Sequence, residues 1–558
     1  MSEMTKKRNI LVCGAWPYAN GSLHIGHVAA LIAGDIVARY HRLLGDNVLY
    51  VSGSDQHGTP IAASAEKEGV TPAEVANRYH EEFVNDFERL GFSYDNYTKT
   101  TNPLHAKVVQ EVFLDLYHKG AIYKKTQQLL YCPHCQRFLP DRYVEGACPK
   151  CRAVEARGDQ CDKCGSLLDA TELIDPQCKI CGTTPVLRES EHFFLKLSEF
   201  GEFLRDYITK QGAKGHWRAN AVNFSLGLIK EGLPDRAITR DSDWGIDIPL
   251  PDYKGKCIYV WFEAVTGYYS ASIEWAEKSG QPSAWEGFWK GESKSVYAHG
   301  KDNIPFHTII WPSILKAKGG LNLPTQILST EYVTFEGKQL STSRNWAVWV
   351  PDFLDRYDPD SLRYYSIAYG PETADADFSW RVFVEKVNGE LVGFYGNFVH
   401  RVLSFIYKNF GDKIPTPGTL GTEDKKVLVA VEKSYVKVGG EIERGRFKAA
   451  LREVISLARL GNQYIDRKAP WKQVKENKDE VATTLWVCVQ IIRALAVLTG
   501  PFLPRSASEL LDTLQIEQPK WEHELLEPEQ KFKEPKPLFT RIDPTVVEEE
   551  LVKPQTSS

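Results

Sequence analysis

Asn9-Ile-Leu-Val-Cys-Gly-Ala-Trp-Pro-Tyr-Ala-Asn-Gly-Ser-Leu-His-Ile-Gly-His27 opens with an apolar run that Gly14 and a Trp-Pro turn bring to a stop, the pattern of a strand buried on both faces. Beyond the turn, Ile25, Val28, Ala29, Ile32, Ile36, Val37, Tyr40, Leu43 and Leu44 recur at three- and four-residue steps, which predicts one amphipathic helix. A second strand, Val48-Leu-Tyr-Val51, runs into Gly53-Ser-Asp-Gln-His-Gly58, and another periodic segment follows from Pro60 to Lys67. Strand, helix, strand, helix is the signature of a Rossmann-type doubly wound parallel sheet, whose ligands bind beyond the carboxyl ends of the strands. That rule puts His24, His27, Asp55 and His57 on one rim.

Further along, the text changes twice. Between about 120 and 230 it is punctuated by Cys, Gly and Pro, with a helical piece expected from Glu191 to Ile208. Alternation then returns, as Cys257-Ile-Tyr-Val-Trp261 leads into a helix at Glu263 to Trp275, and Ser295-Val-Tyr-Ala-His299 leads into one at Asn303 to Leu315. The middle section therefore interrupts one nucleotide-binding fold. From 386 the text is almost continuously helical, which predicts an α-bundle, and from Glu527 prolines predict an extended strap. With 558 residues the chain is several domains. It carries 68 Lys and Arg against 73 Asp and Glu, a net charge of −5, so a polyanionic partner has to be met by local basic patches. The start of the chain lacks a secretory apolar run, and the apolar stretch Val481 to Leu503 is broken by Gln490, Arg493 and a Gly-Pro pair. A cytoplasmic protein without a membrane span is expected.

Eight of the eleven cysteines form four Cys-x-x-Cys pairs, Cys132/Cys135, Cys148/Cys151, Cys161/Cys164 and Cys178/Cys181. In a reducing compartment these read as about two zinc ions in Cys₄ sites, closed and hence structural. Spacing alone leaves the pairing of the four units open. The turn before His24 is the other strong signal. A helix start presents unpaired N–H groups and about half a positive charge, Gly26 leaves room for a nucleobase, and two imidazoles there can donate to phosphate.

The turn resembles the HIGH signature of the class I aminoacyl-tRNA synthetases, and Pro17-Tyr-Ala-Asn20 resembles their methionyl branch. Ser52-Gly-Ser-Asp55-Gln-His-Gly-Thr-Pro60, Tyr259-Val-Trp261-Phe-Glu-Ala-Val-Thr-Gly-Tyr268, Gly300-Lys-Asp302-Asn-Ile-Pro-Phe-His307, Asp377-Phe-Ser-Trp380 and Ala469-Pro-Trp471 match the same branch. The resemblance implies an enzyme that activates L-methionine with ATP and magnesium and transfers it to the 3′-terminal adenosine of tRNA(Met). It implies a methionine pocket of Ala15, Trp16, Tyr18, Asp55, Trp261, Ala264, Tyr268 and His307, with Asp55 on the ammonium. ATP would meet His24, Gly26, His27, Gly300, Lys301, Asp302, Ser341, Thr342 and Ser343. Asn397, Arg401 and Trp471 would read the anticodon, and a nested pairing would put Cys148, Cys151, Cys161 and Cys164 around one zinc and the outer four around the other.

Two departures from the branch are visible. Val265 stands where the family often has Pro, and in Lys338-Gln-Leu-Ser-Thr-Ser-Arg344 neutral Gln339 and Thr342 occupy the places of the mobile loop's lysines. Lys338 and Arg344 are then the candidate catalytic cations. One rival reading is another class I synthetase, for leucine, isoleucine, valine or cysteine; the altered loop motivates a second, a non-catalytic tRNA-binding or regulatory relative, distinguished by loss of methionine-dependent ATP–pyrophosphate exchange. The implied domains are two catalytic halves at 1–119 and 229–325, an inserted connective domain with zinc knuckles at 120–228 and a lysine-loop and stem-contact segment at 326–385. The anticodon-binding bundle follows at 386–526 and the strap at 527–558. No oligonucleotide-binding module follows the bundle, so a monomer is expected.

Overall fold

The computed structural model describes residues 7–552 except 141–142, 155, 159–160, 162, 165–167, 169 and 342–344. Its centre is a five-stranded sheet in the order Gln326–Thr330, Ser293–Gly300, Asn9–Gly14, Asn47–Ser54, Asn96–Lys99, with every neighbouring pair parallel. The chain leaves the central strand Asn9–Gly14 to one side and returns to its other side only at Ser293. The switch in direction opens a crevice between the ends of Asn9–Gly14 and Ser293–Gly300. Helix Ile25–Leu43 covers the sheet with thirteen buried residues. Among them is Asp35, which receives Arg363 Nη2 at 2.7 Å, Arg39 Nε at 2.8 Å and both the backbone N–H and hydroxyl of Ser93. Burial alone would raise this carboxyl, but the two guanidinium groups and Ser93 outweigh it and hold it at about 2. Arg363 also donates to the carbonyl of Phe502 at 2.8 Å, tying helix Ile25–Leu43 to the helical bundle.

Four expectations are corrected by the elements observed. Glu191 begins no helix: residues 186–195 form the strand Val186–Leu195, paired antiparallel with Ile122–Cys132 from Ile122↔Leu195 to Tyr131↔Val186. Its alternating half, ending His-Phe-Phe-Leu, is buried where it joins the core beneath the parallel sheet, so tertiary pairing overrides a local helical pattern; the helix starts at Gly201. The stretch at Cys257 does not join the parallel sheet. Lys256–Ile258 pairs antiparallel with Thr239–Asp241 in a separate ribbon, and Tyr259 already caps helix Val260–Lys278. Asn303 to Leu315 is not one regular helix but a 3₁₀ turn, a π segment Phe306–Ile310 and helix Trp311–Lys318. The final strap ends in a helix, Val546–Val552, whose Glu550 reaches Arg356 and, at 2.8 Å, the hydroxyl of Tyr357.

The long antiparallel ribbon carries the cysteine-rich segment at its far end. Helices Asn397–Phe410, Thr422–Glu443, Phe447–Lys468 and Lys478–Leu498 form the bundle. The run from Trp380 to Phe410 is helical throughout, through a π segment Val387–Gly396, so the expected boundary at 386 falls inside it. Lys478–Leu498 is the single described helix long and apolar enough to cross a membrane, and it is wholly buried in the bundle. Gln490 there is bonded to both backbone groups of Leu526, and Arg493 to Tyr435, Glu522 and Glu524.

Candidate active site

His24 is the N-cap of helix Ile25–Leu43, with extended backbone (φ −123°, ψ 170°). Its Nδ1 accepts the backbone N–H of Gly26 at 3.1 Å, and Nδ1 of His27 accepts the backbone N–H of His24 at 3.1 Å. A backbone N–H can only donate, so both Nδ1 atoms are acceptors and each neutral ring carries its proton on Nε2. Burial, and for His24 also its neighbour His27, pushes His24 well below the usual imidazole value, while burial takes His27 to about 4. The turn thus presents two neutral N–H donors at the positive end of a helix. Gly26 has a closer reason than room for a base: a Cβ there would lie 2.9 Å from Cε1 of His24 and break the cap.

Asp55 follows the neighbouring strand Asn47–Ser54. Its backbone pairs with the turn, Asp55 N–H to the carbonyl of Pro17 at 2.8 Å and Ala19 N–H to the carbonyl of Asp55 at 2.9 Å. The side chain is buried, and the backbone N–H of His57 at 3.3 Å is its hydrogen bond. No Lys or Arg pairs with it among the described residues. Burial, then Glu263, push its carboxyl well above the ordinary range. Glu263 in turn is held by Nδ1 of His57 at 2.9 Å.

Aromatic side chains build the rest of the crevice. Trp261 stacks on Phe306 at 3.9 Å and 7°, and Tyr18 stands edge-on to Trp261. Tyr268 donates its hydroxyl to Nε2 of His307 at 2.7 Å, while Nδ1–H of His307 donates to the carbonyl of Asn303 at 2.8 Å, which fixes that tautomer. Trp16 lies edge-on to Tyr268, with its indole wedged between Gly53 and Gly267, where a Cβ on either would come within 2.7 Å of the ring. Ala15 bonds the carbonyl of Ala298 across the switch point, and Ala264 and Val265 are buried on helix Val260–Lys278. The structure brings several of the expected residues together: Tyr18 bridges to Asp55 and meets Trp261, and Trp16 meets Tyr268, which bonds His307. Lys301 and Asp302, just past Gly300, are occupied elsewhere. Lys301 pairs with Glu331 at 2.8 Å and Asp375 at 2.9 Å, and Asp302 accepts from Tyr332.

The lysine-poor loop leaves the hairpin Val333–Phe335/Lys338–Gln339, turned by Glu336 and Gly337 at positive φ. Lys338 is exposed, its Nζ 4.9 Å from the ring centre of Trp346. Ser341 and Trp346 exchange both backbone hydrogen bonds and close the loop. Leu340 reaches the neighbourhood of Gly26, and Ile25 and Leu23 bond Val348 and Val350, so the loop's base is docked on the His24 turn. Thr342, Ser343 and Arg344 lie outside the described residues.

The cysteines gather into two groups, Cys132, Cys135, Cys178, Cys181 and Cys148, Cys151, Cys161, Cys164, with all Sγ atoms of a group within 4.8 Å of one another. Sulfur separations of 3.5 and 3.9 Å in the first group and 3.6 and 3.9 Å in the second match the edge of a tetrahedron with metal–sulfur bonds of about 2.3 Å. The donor set fits zinc, and the grouping is the nested one.

At the far end of the bundle Asn397 is exposed. Arg401, one turn on, pairs with Asp466 at 3.0 Å, donates to Asn462 and sits 5.6 Å over the ring of Trp471, which is 41% exposed. Phe394, also exposed, carries Arg459 on its face.

Sequence reasoning missed Glu263, Phe306, Asn303, Trp346 and Phe394. Glu263, Asn303 and Phe306 stand inside the motifs Tyr259 to Tyr268 and Gly300 to His307 without an assigned role.

Residues 10–403 match the family described as tRNA synthetases class I (M), and residues 414–553 match the anticodon binding domain of methionyl tRNA ligase. Methionine--tRNA ligase of Bacillus cereus (strain 03BB102) is 49% identical over 545 residues, 98% of this chain and 99% of its own length. Methionine--tRNA ligase 2 of Bacillus anthracis shows the same identity and coverage. Among solved structures, Mycobacterium tuberculosis methionyl-tRNA synthetase bound by methionyl-adenylate superposes with a TM-score of 0.79 at 25% identity, over 96% of this chain and all of that one.

Proposed function

The chain belongs to the methionyl branch of the class I tRNA synthetases, its activity is the ligation of methionine to tRNA, and we propose how its residues divide that reaction. A carboxylate oxygen of L-methionine attacks the α-phosphorus of ATP and pyrophosphate leaves. The 3′-terminal adenosine hydroxyl of tRNA(Met) then attacks the methionyl carbonyl and AMP leaves. Neither step forms a bond to the protein, so the residues act by position and charge.

The observation that carries the assignment is the pair of capped imidazoles. With Nδ1 of His24 and His27 committed to backbone N–H groups, both Nε2–H groups are free to donate to phosphate oxygens as negative charge builds on them. Gly26 and the first N–H groups of the helix complete that cradle. Magnesium, when bound with ATP, neutralises the triphosphate. Gly300 and Ser341 border the nucleotide; Lys301 and Asp302, assigned there from sequence, would have to exchange their bonds to Glu331, Asp375 and Tyr332 to reach it, and Thr342 and Ser343 are assigned from sequence alone. Asp55 takes the ammonium of methionine, supported by a buried carboxylate lacking a cation. Ala15, Trp16, Tyr18, Trp261, Ala264, Tyr268 and His307 enclose the thioether, which is polarizable and suits aromatic faces. Lys338 supplies charge to the leaving pyrophosphate from a loop docked on the His24 turn, and Arg344 is its sequence-assigned companion. Asn397, Arg401 and Trp471 offer an amide, a guanidinium and an indole to splayed anticodon bases.

The two Cys₄ groups would hold zinc, which would cross-link the end of the inserted ribbon where the apolar core is small. Eight thiols kept for metal suit a reducing cytoplasm. One chain supplies every assigned residue, which supports a monomer as the working unit.

Methionine-dependent ATP–pyrophosphate exchange tests the assignment. His24→Ala and Lys338→Ala should each lower the rate about ten- to a thousandfold with methionine affinity nearly unchanged, as for contacts made in the transition state. An undiminished rate in Lys338→Ala would move the loop's charge elsewhere, and one in His24→Ala would remove the imidazoles from the reaction.

A further inference from the structure

Helix Pro72–Arg89 packs against helix Val350–Leu354 close to the turn that carries His24. On its inner face Asp86 is fully buried, and neither carboxyl oxygen has a hydrogen-bond partner among the described residues. Glu82, one turn earlier and therefore on the same face, has a buried Oε1 that is likewise unpartnered. Opposite Glu82 lies Ser22, 2% exposed, whose Oγ makes no well-formed hydrogen bond. The cations around them compensate only in part, Arg78 drawing Glu82 down and Arg89 drawing Asp86 down. Arg78, on the same helix, is paired with Glu68 at 2.7 Å, and Arg89 with Asp355 at 2.7 Å. The facing segment contributes Asp352 and Asp355, both negative.

The two carboxylates do not both stay ionised there: Asp86 is stripped of water, Glu82 is half-buried beside it, and they repel each other. One proton retained by the pair removes a charge from this face and supplies a hydroxyl donor next to the unpartnered oxygens. We propose that Glu82 and Asp86 share one proton and, through Ser22, position the Asn20-Gly-Ser-Leu-His24 turn for ATP. Burial, then Glu82, raise the Asp86 carboxyl to about 7, and burial raises Glu82 as well, in keeping with a retained proton near neutrality.

The connection to the reacting groups is short. Ser22 precedes Leu23, whose carbonyl accepts Val350 N–H at 2.8 Å, and Ile25 N–H bonds the carbonyl of Val348 at 3.1 Å. These bonds clamp the His24 turn to the exit of the lysine-poor loop. Loss of the shared proton places a second negative charge under that clamp, between Ser22 and the already acidic segment at Asp352. Glu82 and Asp86 are thus positioning residues for the known reaction. The link to ATP rests on the assignment of His24 and His27 above, whereas the proton itself does not.

The experiment uses the full-length enzyme with Asp86→Asn, Glu82→Gln and Asp86→Ala, in two measurements. The first is thermal stability at pH 5.5 and 8.5. A carboxyl whose folded value lies above its unfolded one binds more protons in the folded state, so stability falls as pH rises between the two values. The native protein should lose melting temperature between these pH values, and Asp86→Asn should reduce that loss because its amide stays neutral. The second is ATP–pyrophosphate exchange from pH 6 to 9. The native enzyme should show a rise in KM for ATP on the alkaline side that Asp86→Asn or Glu82→Gln diminishes, while Asp86→Ala, which removes the bridge, raises KM at every pH. If Asp86→Asn does not fold, Glu82→Gln reports on the same proton. Parallel stability and KM profiles in the native enzyme and both amide variants would overturn proton sharing. A changed stability profile with an unchanged KM profile would overturn the positioning role alone. Failure of the His24 assignment would show instead as full exchange activity in His24→Ala.

Discussion

Gly267→Ala puts the aromatic wall of the proposed methionine site under a defined load. Gly267 lies inside helix Val260–Lys278, where alanine is ordinarily favoured by about 1 kcal/mol. Against that gain, the added Cβ would sit 2.7 Å from Cζ2 and 3.0 Å from Cε2 of Trp16, while carbon atoms in contact rest about 3.5–4.0 Å apart. The indole has to move by about 1 Å. Gly53 closes the other edge of the ring, where a Cβ would lie 2.7 Å from Cζ3, so there is little retreat in the plane between the two glycines. Overpacking of this kind costs about 1–3 kcal/mol, and the net loss of stability should be about 0–2 kcal/mol. The same displacement reshapes the site beside Tyr268, so KM for methionine in ATP–pyrophosphate exchange should rise about ten- to a hundredfold, since each 1.4 kcal/mol is a factor of ten, with KM for ATP little changed. Trp16→Phe in the Gly267→Ala background should recover part of the stability by giving the methyl room. An unchanged methionine KM together with a higher melting temperature would mean that Trp16 is not a fixed wall and that the glycine is dispensable.

Asp55→Asn should lower methionine activation by about a hundredfold or more, on the order of 3 kcal/mol for an ammonium left without its counter-ion. In the native enzyme the carboxyl, raised by burial, must be ionised to take that ammonium, so KM for methionine should climb as pH falls, and a flat profile down to pH 5.5 would argue against the role. Metal analysis should find about two zinc ions per chain, with Cys148→Ser losing one and Cys132→Ser the other. Loss of both from either variant would contradict independent nested sites. Trp471→Ala should raise KM for tRNA about ten- to a hundredfold, as for one lost base stack, and leave tRNA-independent exchange intact; an effect on exchange would point to a structural role instead.

The first strand and helix, the turn that sets His24 and His27 at a helix start, and the four cysteine pairs were legible in the residues because each rests on short-range rules. Apolar periodicity selects the element, a Gly-terminated strand sets the turn, and thiolate spacing selects the metal. The expected helix at Glu191 failed for the opposite reason. Whether residues 186–195 become strand depends on Ile122–Cys132, more than fifty residues earlier, offering its edge. The ribbon at Lys256 and the π segment at Phe306 were likewise decided by what they pack against. So was the grouping of cysteines, since four equivalent pairs carry no information about which fold back on which.

By itself, the sequence determined that the chain builds a doubly wound sheet with imidazoles at a helix start, a thiolate-rich insert and a helical bundle. Tertiary structure alone decided which nitrogen of His24 and His27 carries the proton, because the tautomer follows from two backbone N–H groups at 3.1 Å. It also decided that Lys301 is spent on Glu331 and Asp375, that Trp16 is held between two glycines, and that Asp86 is buried, with Glu82 half-buried beside it, outside any ion pair among the described residues. Residue type fixes which charges and donors a chain possesses. Whether each is paired, neutral or free depends on groups brought near from distant parts of the chain, and on how much water the packing leaves between them.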